Sequence, residues 1–343
     1  MPKVYVVLVN WNGWQDTIEC LESLLRSTNS DFRVVVCDNG SRDDSLARIA
    51  AWAEGSLPAT VSVGPLTRLT TPSLAKPIPL VIHDRTKAEQ GGAPDDPQLV
   101  LIDVAANLGF AGGNNVGLRY ALARGDADYA WLLNNDTVVP PQSLSALVER
   151  MSIAPDVGIC GSVLVQYHAP DRIQALGGAR YSPWTTRAYH LGAGEVFPGS
   201  VPSDPALVEA QTSYVVGASM LVSRRFLDAV GLMAEDYFLY GEEIDWAARA
   251  KGLFTMGFAP ASVVYHKVGG STPKATAKDA WALELLYANK LKATRRFFRP
   301  YLWINYCWYC IEVAKASARR DWIRARSVFR ALTRRNESTS STR

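Results

Sequence analysis

The chain has 343 residues, 48% of them hydrophobic and 20% charged, with a formal net charge of +3. That is ordinary globular composition, long enough for one large or two modest cores and too near neutrality to mark a general nucleic-acid binder. Five scattered cysteines argue against a disulfide framework, and no window reaches the ~20 apolar residues of a membrane-spanning helix.

The chain enters a strand by residue 3 with no charged and apolar leader, which predicts a cytoplasmic protein with reduced thiols. Lys3 to Val9 is a continuous apolar run and reads as a buried strand, followed by the turn Asn10-Trp-Asn12-Gly13. Ile18, Leu21, Leu24 and Leu25 then recur at a helical period. Phe32 to Cys37 is a second buried strand ending in Asp38-Asn39-Gly40-Ser41. A second helix is expected over Asp43 to Trp52, capped by Asp43 or Asp44. This β-α-β-α opening predicts an α/β fold with a doubly wound, mostly parallel sheet.

Residues 55–97 break the rhythm and read as an insertion rich in Pro and Gly, with a small hairpin near Ile78 to Ile82. Leu99 to Val104 resumes the sheet. The glycine-rich run Asn107 to Gly117 then leads into a helix ending near Arg124. Its glycines do not spell a dinucleotide fingerprint, so hydride chemistry is disfavoured. They do permit close backbone approach, with helix-start amides facing an anionic ligand. Tyr129-Ala-Trp-Leu-Leu133 is a buried strand that ends abruptly in Asn134-Asn135-Asp136. A carboxylate delivered to the carboxyl edge of such a sheet suits a hard divalent cation that also holds phosphate oxygens. The alternative is a polar turn at a strand end.

A helix is expected over Gln142 to Met151, a strand over Gly158 to Gln166, and irregular pocket-forming structure over Asp171 to Pro205. Tyr214 to Ser223 reads as one strand, Glu242 to Lys251 as a short helix, and Ser262 to Tyr265 as a strand ending at His266. Beyond Ala277 the pattern is helical, followed by a disordered Ser/Thr tail at 337–343. Cys307-x-x-Cys310 lies in this helical stretch with no second pair, which disfavours a metal or redox role.

Four segments now stand in a fixed order. They are Asp38-Asn39-Gly40-Ser41, Asn107-Leu-Gly109-Phe-Ala-Gly-Gly113-Asn114-Asn115, Asn134-Asn135-Asp136, and Phe238-Leu-Tyr-Gly-Glu242-Glu243-Ile-Asp245-Trp-Ala-Ala-Arg249. Each is weak alone. Together, over about residues 3–270, the set closely resembles family-2 glycosyltransferases, in particular the bacterial rhamnosyltransferase-like branch. The resemblance implies a GT-A fold with a C-terminal helical extension. It also implies inverting transfer of a sugar, expected to be L-rhamnose from dTDP-L-rhamnose, to a glycan or polyprenyl-linked acceptor in cell-surface polysaccharide synthesis.

By that resemblance Asp38 contacts the nucleotide; a strand-end carboxylate can accept from a pyrimidine N–H, although Asp-Asn-Gly-Ser is also strong Asx-turn chemistry. Asn10 and Asn12 would flank the base, with Asn107, Gly109, Gly113 and Asn114 lying along the donor. The family's D-x-D element falls on Asn134-Asn135-Asp136, where an amide replaces the first acid. Asp136 would carry Mg²⁺ or Mn²⁺ together with His266, while Asn134 and Asn135 touch ribose or sugar. Glu243 matches the position of the catalytic base, with Glu242 and Asp245 orienting acceptor or base. Helix N-terminal stabilisation is the structural alternative for the two glutamates, and Arg249 is spaced to pair with Asp245.

The expected organisation is a transferase domain over 1–276, including the 55–97 insertion, and a helical basic-aromatic extension over 277–336. From Arg295 to Arg335 the chain is arginine-rich with only two acids, Glu312 and Asp321, and carries Tyr301, Trp303, Tyr306, Trp308, Tyr309 and Trp322. That composition fits an anionic membrane surface, placing the protein peripherally on the inner face of the plasma membrane. Core packing or a homodimer interface is the alternative, and nucleic acid is not expected. Two rival functions are a nucleotidyltransferase, which would want a basic phosphate loop near the N-terminus, and a non-catalytic nucleotide-sugar-binding protein.

Overall fold

The computed structural model describes residues 2–29, 31–60, 63–267 and 277–333. The loop expected at Gly269-Gly270-Ser271 and the tail expected at 337–343 lie outside them. In chain order the elements are β1 (Val4–Asn10), α1 (Trp14–Leu24), β2 (Phe32–Asp38), α2 (Ser45–Glu54), β3 (Leu80–Asp84), α3 (Arg85–Glu89), β4 (Leu99–Asp103), α4 (Gly109–Arg124), β5 (Tyr129–Leu133), β6 (Thr137–Val138), α5 (Ser143–Ser152) and β7 (Val157–Gln166). They continue with β8 (Ala169–Leu176), β9 (Gly178–Ser182), β10 (Arg187–His190), α6 (Ala206–Glu209), β11 (Tyr214–Val215), β12 (Ser219–Ser223), α7 (Arg224–Val230), α8 (Glu242–Ala250), β13 (Thr255–His266), α9 (Ala277–Phe297), α10 (Leu302–Ala318) and α11 (Trp322–Thr333).

The main sheet runs β3-β4-β2-β1-β5-β12-β7-β13-β6, with β8 also paired to β7. The half from β3 to β5 is wholly parallel, and β12 enters antiparallel between β5 and β7. Val4 to Leu8 and Val34 to Cys37 are fully buried, as strands covered on both faces must be. Asn10 pairs with Asp38, and Asp38 with Asp103, so three parallel strands end in step. Because β1 is flanked by β2 on one side and β5 on the other, a crevice opens beyond its carboxyl end, where open α/β sheets bind ligands.

Two expectations change. The short apolar piece near Ile78 is not a hairpin: Leu80–Asp84 extends the main sheet as a parallel edge strand on β4. Its half-exposed alternation is what an edge position produces. The preceding loop is stapled to the body by buried Glu22, which accepts from Trp52 Nε1 (3.0 Å) and Leu74 N (2.8 Å) and faces Lys76 (3.5 Å). Secondly, Tyr214 to Ser223 is two strands. β11 joins a separate three-stranded sheet, β10-β9-β11, and β12 the main one. The chain turns between them because residue 217 passes directly beside an acidic side chain of α8.

The C-terminal helices share a small core of Tyr287, Leu291, Tyr309 and Val328. They are also tied to the body. Asn305 on α10 donates to the carbonyls of Pro183 and Trp184 (both 2.9 Å), and Thr186 meets Tyr309 (2.9 Å). Helix α9 packs on α8 and on the turn before it, with Trp281 edge-on to Phe238.

Candidate active site

The crevice floor is a network of amides and hydroxyls. Asp38 Oδ1 accepts from Asn10 Nδ2 (2.7 Å) and Ser41 Oγ (2.5 Å), while Oδ2 has only a long contact from Ser41 N (3.3 Å). Both carboxylate oxygens therefore meet Ser41 in the turn, Oδ1 closely and Oδ2 through a single long contact, as the turn reading of Asp38 expects. Asn10 Oδ1 accepts from Thr17 Oγ1 (2.8 Å) and, at 3.4 Å, from Asn135 Nδ2. Asn135 also donates to Thr17 (2.9 Å), which fastens the end of β5 to α1. Asn12 lies in the left-handed region and its Oδ1 takes the Arg42 amide (2.7 Å), clipping together the loops after β1 and β2.

The glycine-rich segment behaves differently from expectation. The amides that open α4 are already used inside the protein. Leu108 N donates to Asn39 Oδ1 (3.0 Å), Gly109 N to Asn107 Oδ1 (2.9 Å) and Phe110 N to Phe238 O (2.7 Å). The glycines serve close approach instead. A Cβ on Gly109 would stand 2.1 Å from Phe238 O, and one on Gly113 2.8 Å from Val9 Cγ1. Asn114 is buried and donates to Phe110 O within its own helix (2.9 Å).

Asp136 and His266 come together: Asp136 Oδ1 lies 3.2 Å from His266 Nε2. Asn134 Nδ2 is 3.3 Å from the same nitrogen. On the far side of the ring Nδ1 donates to Gln174 Oε1 (2.9 Å), which turns the Nε2 lone pair towards Asp136. A carboxylate oxygen and an imidazole nitrogen converging in this way fit a divalent cation. Among the described residues no group of three His, Cys, Asp or Glu side chains surrounds such a point. The pairing is local, since β6 follows β5 directly and pairs antiparallel with the end of β13, placing His266 opposite Thr137.

The acid pair occupies the same edge. Asn134 N donates to Ala218 O (3.1 Å), and a Cβ on neighbouring Gly217 would stand 2.6 Å from Glu243 Oε1. Glu242 is fully enclosed and its Oε2 has no partner. Burial pushes its carboxyl well above the usual glutamate range, and the charge of Glu243 pushes it further. Burial also raises Glu243, against main-chain hydrogen bonds from its own amide, Gly217 and Gly241. Asp245 is engaged elsewhere. Its Oδ1 accepts from Arg249 Nε (2.8 Å), the pairing its spacing predicted, and its Oδ2 from Arg296 Nη1 (3.1 Å). That makes it a link between α8 and α9.

Sequence reading overlooked several neighbours. Thr17 and Gln174 carried no local signal, being a helix residue and a strand residue among many. Gly217 and Asn289 acquire meaning only from what stands opposite them. Ser41 was visible as part of its turn.

Glycosyl transferase family 2 matches residues 5–65 and 83–201, just over half of the chain. An N-acetylglucosaminyl-diphospho-decaprenol L-rhamnosyltransferase of Mycobacterium tuberculosis is 28% identical over 243 residues, 62% of this chain and 75% of that enzyme. The low-salt glycan biosynthesis hexosyltransferase Agl10 of Haloferax volcanii is 25% identical over 150 residues; the match spans less than half of either protein, 44% of this chain and 45% of the relative. Among solved structures, the mannosyltransferase PcManGT from Pyrobaculum calidifontis, in complex with GDP-Man and Mn²⁺, superposes with a TM-score of 0.52 at 15% identity, covering 96% of this chain and 86% of its own. GalNAc-T7 with UDP, GalNAc and Mn²⁺ gives 0.53 at 12% identity, covering 86% and 48%. The chain belongs to glycosyl transferase family 2, and its fold is of the GT-A type.

The raised carboxyls make a stability prediction. A folded-state value above the unfolded one means that folding takes up a proton, so there is no penalty below the ordinary glutamate value and a growing penalty as pH rises towards the raised one. Glu242→Gln should therefore flatten the fall in Tm as pH rises above the ordinary glutamate value. An unchanged slope would show that Glu242 is not held against ionisation.

Proposed function

We propose that this family-2 glycosyltransferase moves a hexosyl group, L-rhamnose from dTDP-L-rhamnose, onto a glycan or polyprenyl-diphosphate-linked acceptor with inversion. The observation that carries the reading is the partly buried carboxyl of Glu243, its value raised, on the same sheet edge as the Asp136–His266 pair. The Mycobacterium tuberculosis relative supports the donor sugar and the lipid-linked acceptor.

In this reading Asp38, Asn10 and Asn12 seat the nucleobase, and Asn134 meets ribose or sugar. Asp136 Oδ1 and His266 Nε2 hold Mg²⁺ or Mn²⁺, which when bound neutralises charge on the donor diphosphate. Glu243 takes the proton from the acceptor hydroxyl as that oxygen bonds to the anomeric carbon. The bond from that carbon to the diphosphate breaks on the opposite face, and the nucleoside diphosphate leaves. Raising the Glu243 carboxyl makes it a stronger base once ionised. Glu242 supplies a second charge that resists simultaneous ionisation of the pair.

The outer face of the C-terminal helices extends the proposal. Trp303, Trp322, Ile323 and Phe329 are exposed beside exposed Arg319, Arg320, Arg326 and Arg330. Aromatics and arginines on one face suit the headgroup region of an anionic membrane, where a lipid-linked acceptor resides. No described helix is long and apolar enough to cross a membrane.

Three outcomes are expected. Glu243→Gln should bind dTDP normally and lose transfer by roughly 10²-fold or more, with the wild-type rate falling as pH drops through the raised Glu243 value; normal turnover in the variant removes Glu243 as the base. Asp136→Ala should abolish Mn²⁺ binding measured by calorimetry in the presence of dTDP, and His266→Ala should weaken it less; metal affinity unchanged in both would dismiss the site. Full-length protein should sediment with phosphatidylserine-containing vesicles and be released at about 1 M salt, where screening acts within ~3 Å. Failure of Trp303→Ser/Trp322→Ser to reduce that binding would remove the aromatic face from the account.

A further inference from the structure

The turn that delivers the acid pair is an unusual piece of backbone. Phe238 and Tyr240 have φ of 62° and 68°, and Gly241, with φ of 100°, is the residue from which α8 starts. Two non-glycine residues in the left-handed region within three positions need an external hold. One side of that hold is α4, through Phe110 N on Phe238 O. The other is a single side chain on α9. Asn289 Nδ2 donates to Tyr237 O (2.7 Å), Leu239 O (2.8 Å) and Tyr240 O (3.0 Å). Its carboxamide is buried, so water cannot substitute for it.

We propose that Asn289 is the positioning residue of the catalytic base: by gathering three carbonyls of the 237–240 turn it fixes where α8 begins, and so where Glu243 meets the acceptor hydroxyl. The idea rests on the reading of Glu243 as base. The same helix adds support at the turn's outer end, where Lys292 donates to Asp236 O and Arg296 reaches Asp236 and Asp245. Those ion pairs are partly exposed and screened, whereas the Asn289 side chain is buried. Glu243 itself is faced by Glu242 on its own helix and by Tyr214 on β11. Without Asn289 the turn loses its only side-chain donor to these carbonyls among the described contacts. It relaxes toward ordinary φ values, and water reaches the Glu243 carboxyl.

The test compares two buried asparagines, each donating to main-chain carbonyls, in the full-length protein. Asn289→Ala should lower kcat on the order of 10²-fold, leave dTDP affinity unchanged and move the acid limb of the kcat–pH profile to lower pH. Amide exchange across 237–245 should rise. Asn289→Gln, which keeps the donor but displaces it by one methylene, should fall between the variant and the wild type. Asn305→Ala should lower Tm and leave the acid limb in place, because its carbonyl partners lie in the β9–β10 hairpin. Wild-type kcat in Asn289→Ala overturns the proposal, as does an equal limb shift in Asn305→Ala, which would mark general loosening. If Asn289→Ala does not fold, the glutamine variant decides, and wild-type kcat in it is equally fatal. Raised exchange in Asn289→Ala together with full turnover in Glu243→Gln would instead reject the base assignment, since exchange reports the turn whichever residue takes the proton.

Discussion

Two carboxyls on consecutive residues, one buried and one partly buried, with no ion pair among the described residues, set the terms for the rest of this site. Ionising either one inside the protein is costly, and ionising both is costlier. A chain left to itself would swing them outward. Here it cannot, because the backbone on each side is fixed. Gly217 leaves room for the Glu243 carboxyl and nothing larger, Phe238 O is held by the start of α4, and the turn's other carbonyls are gathered by α9. The strained φ values at Phe238 and Tyr240 and the raised carboxyls thus share one cause: the backbone around the acid pair is held where an unconstrained chain would not leave it.

The donor crevice solves the opposite problem. It is lined with amides and hydroxyls that satisfy each other, with the carboxylates of Asp38 and Asp136 set among them. Replacing the first acid of the D-x-D element by Asn134 fits this economy. An amide at that place can face His266 Nε2 as a donor, where a second carboxylate would stand against Asp136. The amides rigidify the floor around the two acids.

The parallel half of the fold was legible because fully buried strands write continuous apolar runs, and each ended in an unmistakable polar switch, as at Asn10, Asp38 and Asn134. The edge strand β3 was not, since half-exposed Leu80 and Ile82 look like loop residues until β4 is beside them. The break between β11 and β12 was hidden because Tyr214 to Ser223 reads as one nearly continuous apolar run; the change of sheet shows only in three dimensions, where Gly217 lies beside Glu243. Within the site, acids announce themselves by type, so Asp136, Glu242 and Glu243 stood out. Gln174 and Asn289 act through geometry alone, over separations of 92 and about 50 residues, which no local pattern records. The α4 amides were misjudged because helix starts generally offer free donors, and here Asn39, Asn107 and Phe238 O take them.

The brace on the acid turn lies some 50 residues downstream of it. Synthesis runs from N- to C-terminus, so the strands that build the nucleotide crevice leave the ribosome first, then the acid turn, and Asn289 only after both. During that interval the turn has the Phe110 amide but lacks the Asn289 side chain that gathers its other carbonyls. The growing chain is able to assemble the strand-end crevice before the backbone that carries the acid pair is fully held. The two halves of the cleft are thereby completed at different times, and α9 completes the second.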